Sequence, residues 1–117
     1  MALHGDQTLF DGSGDNTAQA AKAVAGQLIL LEVSNINIVD GYIQLFDAAA
    51  ADVTVGTTTP KQSYIVPKGD GTNRGGMTAT FAPNGMDFQT AITYSCTTTA
   101  TGGTALTTAL VVNIVFR

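Results

Sequence analysis

Two stretches of the chain carry residues at spacings that suit ion or phosphate chemistry. Asp11-Gly12-Ser13-Gly14-Asp15 sets oxygen-bearing side chains at alternate positions, as a calcium loop does. The pattern then breaks. Asn16 stands at the sixth position, where a calcium loop needs Gly, and Lys22 at the twelfth, where it needs a bidentate Glu. Gly69-Asp70-Gly71-Thr72-Asn73-Arg74-Gly75-Gly76 has the glycine separation of a phosphate loop between Gly71 and Gly76, but Met77 replaces the required Lys. No helical pattern follows to aim backbone N–H groups at an anion. A solvated run of turn formers and a flexible loop account better for the two stretches.

The remaining reactive residues are isolated. His4 is the only histidine, so no multi-histidine metal site can form, and a Ser–His–Asp triad would have to recruit it from the N-terminal segment. Glu32 is the only glutamate and falls in a predicted strand, where it pairs or faces solvent. Asp40, Asp47, Asp52, Asp70 and Asp87 lie in or beside turns, where aspartate caps backbone groups. Cys96 is the only cysteine, which leaves no partner for an intrachain disulfide. Alternation sets it beside Ile92 and Tyr94, as a buried thiol would be. The chain reads as a non-enzyme, with no catalytic residue, no metal ligand and no cofactor site.

Composition points the same way. Only 12% of the 117 residues are charged, against about 25% in an average soluble domain. A surface covered by Thr, Ser, Asn, Gly and Ala is easily buried against another protein, because little charge must be desolvated. The net charge of −4, with basic residues scattered at Lys22, Lys61, Lys68, Arg74 and Arg117, argues against nucleic acid and against a polybasic membrane anchor. The N-terminus lacks the basic and apolar regions of a secretory signal. No apolar run approaches the roughly 20 residues of a transmembrane helix.

The elements that position these residues read as β. Residues 1–17 are expected to form an extended arm, with Leu9 and Phe10 its only large apolar groups beside the turn-forming run, and 18–117 a single domain. Ala18–Ala25 reads as an edge strand or an extended lead-in. Leu28–Val33 is apolar on both faces except at Glu32, which predicts a central strand. Asp40-Gly41 signals a turn and predicts a hairpin between this strand and Tyr42–Asp47. The alanines at 48–51 suit one helical turn, or a loop leading to a short strand at Val53–Val55. Further strands are predicted at Gln62–Val66, Met77–Phe81, Met86–Phe88, Ala91–Thr97 and Leu110–Arg117. In the last, Leu110, Val112, Ile114 and Phe116 share one face. About seven or eight short antiparallel strands with long connections predict an all-β, jelly-roll-like β-sandwich.

Taken in order, several segments resemble a family of small tailed-bacteriophage structural proteins, some of them similar to capsid cement, or decoration, proteins. They are Tyr42–Ala49, Val53–Pro60, Ile65-Val66-Pro67, Gly85–Phe88, Ala91–Tyr94, Thr97-Thr98-Thr99 and Val111–Arg117, within roughly residues 24 to 117. The resemblance implies a jelly-roll-like sandwich without catalysis or cofactor, bound to the outside of a major capsid lattice. The implied partners are the major capsid protein and sister subunits, as a homo-oligomer, with a trimer suited to three-fold sites. The implied location is the virion surface after synthesis in the host cytoplasm. Leu9 and Phe10 become candidate capsid or subunit contacts. The competing expectation is a tail, baseplate or head-fibre module whose loops bind a host receptor.

Overall fold

The computed structural model describes residues 5–117. Among these residues nine strands form: β1 (Gln7–Gly14), β2 (Gln19–Lys22), β3 (Gly26–Asn35), β4 (Gly41–Phe46), β5 (Gln62–Val66), β6 (Gly75–Thr80), β7 (Met86–Phe88), β8 (Ile92–Thr97) and β9 (Leu110–Phe116). One sheet has the order β1-β9-β3-β6, with β7 also on β3, and the other β2-β8-β4-β5. Every pairing is antiparallel. The partners are nested: β1 with β9, β2 with β8, β3 with β6 and β4 with β5. The two sheets pack face to face as a β-sandwich.

Alternation builds the core. Leu110, Val112, Ile114 and Phe116 of β9 meet Ile92, Tyr94 and Cys96 of β8 and Ile43 and Leu45 of β4, all buried. Strand β3 is central, as its two apolar faces predict. Its register shifts between Leu28 and Leu30, so one extra residue sits opposite β9. The bulge lets Leu28 and Leu31 both face inward although their spacing is odd. Strands β6 and β7 share one edge of β3 and read as a single strand interrupted at 81–85. The excursion returns through Gly85 at φ +87°, where a Cβ would meet Ile29 Cδ1 at 2.8 Å.

Three expectations are corrected. The first is the N-terminal arm. Gln7–Gly14 is an edge strand of the first sheet, paired with β9 from Gln7↔Phe116 to Gly14↔Leu110. The turn formers Gly12 and Ser13 make a bulge within it, closed by Ser13 N donating to Asp11 Oδ1 and Tyr94 Oη donating to Asp11 Oδ2 at 2.7 Å. No boundary separates 5–17 from the sandwich; the arm's first four residues, and His4 with them, lie outside the described residues. The second is the predicted hairpin. Strands β3 and β4 belong to different sheets, and the chain crosses between them on buried side-chain amides. Asn35 Nδ2 donates to the carbonyls of Val39 and Val66, and its Oδ1 accepts from Asn37 N and Nδ2. The third is the short strand at Val53–Val55. A 3-10 turn at Ala50–Asp52 leads into turns there instead.

Cys96 is fully buried. Burial, followed by the charges of Asp11 and Asp15, pushes its thiol up to about 12. At neutral pH it is therefore a protonated core group. A thiol reagent is expected to label it only at the rate of unfolding, and at once in denaturant. Rapid labelling of the native protein would contradict this burial.

Candidate functional site

The two outer sheet faces differ. On the second sheet, Gln44, Phe46, Thr93, Ser95 and Thr97 point away from the core, yet all are buried. The chain roofs them with two loops, 47–61 and 98–109. Thr93 Oγ1 donates to Ala48 O at 2.6 Å. Gln44 Nε2 donates to Thr97 Oγ1 at 2.7 Å, Gly102 O at 2.9 Å and Thr99 O at 3.3 Å. The loops touch where Gly56 meets Gly103; a Cβ on Gly103 would stand 2.8 Å from Val55 O. Asn16 Nδ2 ties the β1–β2 connection to Gly103 O.

Among the described residues, the outer face of the first sheet has no such roof. Register places Phe10, Asn113, Glu32 and Thr78 in one row across β1, β9, β3 and β6. The next row runs Thr8, Val115, Leu30 and Thr80. Val111, Ser34 and Gly76 form a third. Glu32 is the one charge in these rows. It is exposed and makes no hydrogen bond or ion pair among the described residues. Arg74 stands at the margin, its Nη1 3.4 Å from Ser34 Oγ. Phe10 leaves 71% of its surface in water. The result is a four-stranded, hydroxyl-rich and apolar surface, open to solvent among the described residues, with a single acid near its middle and Asp6, Arg117 and Asp87 at one end. Such a surface can bind another protein with little desolvation of charge.

Alternation along β1 separates the two residues singled out in the sequence. Phe10 belongs to this face, whereas Leu9 packs against the core. Glu32, Leu30, Val111 and Val115 join Phe10, although only the strand register brings them together. Their common signal in sequence is the non-core parity of β3 and β9.

The tempting loops turn out to be internally satisfied. Asp15 Oδ1 accepts from Thr17 N, and Asp11 is held by Ser13 and Tyr94. In the glycine-rich loop, Gly69 N donates to Asn37 O and Gly71 N to Ile36 O. Those donors face protein carbonyls and form no anion cradle. The backbone N–H of Asn73, then its side-chain amide and the backbone N–H of Thr72, hold Asp70 down at about 2. Among the described residues, no three His, Cys, Asp or Glu stand close enough to share an ion.

A depression of about 580 Å³ lies at the opposite end from the glycine-rich loop, lined by Lys22, Gln27, Asp87, Phe88, Gln89 and Arg117 among others. Its polar groups are all at least partly exposed. Arg117 Nε donates to Asp6 at 2.6 Å, and Gln27 Nε2 to Asp87 at 3.1 Å. Nearby, Asp47 accepts from Gln89 N at 2.9 Å, Thr90 N at 2.8 Å and Ala91 N at 3.4 Å. These bonds, led by that from Gln89, hold its carboxyl below the usual range. A lowered native value gives stability that is present above the unfolded value, about 3.9 for Asp. It is lost as pH falls through the native one. Asp47→Asn is therefore expected to lower the urea midpoint at pH 6, with the deficit shrinking below about pH 4. A deficit independent of pH would show that the carboxylate's charge is immaterial.

No known protein family, curated protein or solved structure matches the chain.

Proposed function

We propose that this chain is a structural virion protein, a capsid cement protein of a tailed bacteriophage, and that the outer face of the first sheet is its docking surface. The observation that carries this reading is the contrast between the faces. One is largely roofed by the protein's own loops, while the other is left broad and open among the described residues, with Glu32 the one charge in its central rows. The nested pairing of the sandwich is of the kind a jelly-roll-like cement protein would use. No residue is assigned a catalytic role.

Size argues for several copies. Four strands at the usual spacing give a face roughly 20 Å by 25 Å, or about 500 Å², below the roughly 800 Å² per partner of a standard interface. One subunit alone would bind weakly. A homotrimer seated on a three-fold position of the major capsid protein would gain affinity through its linked sites. Purified protein mixed with expanded phage heads should decorate them, visible as extra density by electron microscopy, and light scattering should give a trimer mass. Failure to decorate any shell would sink the reading.

A second reading has one observation in its favour. The β3–β4 connection, beside the glycine-rich loop, leaves Ile38 70% and Val39 50% exposed. A tail, baseplate or head-fibre module would use such loops on a host receptor. Binding of the isolated protein to whole host cells would support it, and labelling confined to heads would reject it.

A further inference from the structure

Under the roof of the second sheet, strand register aligns Ser95, Gln44 and Ser63 in one row across β8, β4 and β5. Each has a buried side-chain oxygen without a protein partner: Ser95 Oγ, Gln44 Oε1 and Ser63 Oγ. Ser95 and Gln44 are wholly buried. The orientation of the Gln44 amide follows from its surroundings. Its nitrogen faces the carbonyls of Thr99 and Gly102, which only accept, so Oε1 must turn the other way.

An acceptor thus stands between two hydroxyl donors with no direct bond joining them. A buried unpaired polar group costs about 1–3 kcal/mol, and three in one row would be a heavy burden on a domain of this size. Water fits the chemistry. One molecule can donate to Gln44 Oε1 and accept from a serine hydroxyl, meeting the two or more polar partners that a buried water needs. A metal ion does not fit, since the row holds no charge. An apolar ligand does not fit either, since it would leave all three groups unpaired.

We infer that the row Ser95–Gln44–Ser63 is a buried hydration site, occupied by ordered water that bridges these sheet side chains beneath the roof. The site is independent of the docking face. A crystal structure at about 1.5 Å is expected to show water within hydrogen-bonding range, roughly 2.6–3.2 Å, of Gln44 Oε1 and of Ser95 Oγ or Ser63 Oγ. In solution, water-to-protein cross-relaxation should reach the Gln44 side-chain amide with the sign of a long-lived water. The double variant Ser63→Ala with Ser95→Ala should abolish that signal while circular dichroism stays native. Should the double variant fail to fold, the wild-type crystal and cross-relaxation results decide alone. A dry row, or a serine hydroxyl donating directly to Gln44 Oε1 with no water present, would overturn the inference.

Discussion

Gln44→Met is expected to lower the stability of the fold by about 2–4 kcal/mol. Methionine nearly matches glutamine in length and volume, so the cavity cost is small and the change isolates hydrogen bonding. The amide of Gln44 is the hub of the roofed face. It donates to one hydroxyl on the sheet and two carbonyls in the 98–109 loop. Without it, Gly102 O loses its donor, whereas Thr99 O keeps that of Thr97 Oγ1 at 2.7 Å. The loss should appear as a lower urea midpoint with an unchanged denaturant slope, since the native and unfolded surfaces hardly differ. Amide exchange in 98–104 should accelerate more than exchange in β9, because the roof is held by polar bonds and β9 by apolar packing. A change below about 0.5 kcal/mol would place Gln44 with ordinary surface positions.

The same face shows where sequence reasoning runs out. Alternation in Ala91–Thr97 correctly turns Ile92, Tyr94 and Cys96 to the core, and the same parity turns Thr93, Ser95 and Thr97 to the outside. Polarity then suggests solvent. It cannot distinguish a wet hydroxyl from one buried under a loop 45 residues away, as with Thr93 and Ala48. Strand β9 was fully legible because four inward apolar residues repeat without interruption. Strand β1 was hidden because only Leu9 contributes to the core, and its bulge is written in the same residues as a turn. Asp40-Gly41 marks the end of a connection that bends at 37–39, with Gly41 already in β4, but whether the next strand rejoins its neighbour or crosses sheets depends on Asn35 and Asn37 bonding to carbonyls as distant as Val66 and Thr108. Of the outer face proposed for docking, only Phe10 stood out in the sequence, as part of an arm rather than of an edge strand. Glu32 was isolated in sequence, and its neighbours on the face became known only with the register of β1, β9 and β3.

On the cement reading, Phe10→Asp and Glu32→Lys are expected to abolish decoration of capsids while leaving the fold intact. Phe10 is mostly in water and Glu32 has no ion pair among the described residues, so each change should alter stability by no more than about 0.5 kcal/mol. Binding is a different matter. An exposed aromatic beside small polar neighbours is the type of residue that anchors an interface, with losses of about 2 kcal/mol or more, or roughly 30-fold. An acid inside the contact area must meet a donor or a basic group, because leaving it desolvated and unpaired is costly. Reversing its sign sets like charges together and should weaken binding at least about tenfold. In a trimer the loss applies at each linked site, so occupancy of the shell should collapse rather than decline. Co-sedimentation with expanded heads reads the effect, with melting curves as the check on fold. Val24, 61% exposed in the β2–β3 turn and off the face, supplies the control: Val24→Ala should bind like the parent. If parent and control decorate heads and both face variants do so equally well, the docking face is wrong while the cement role stands. If the parent itself leaves every shell bare, the role fails with it.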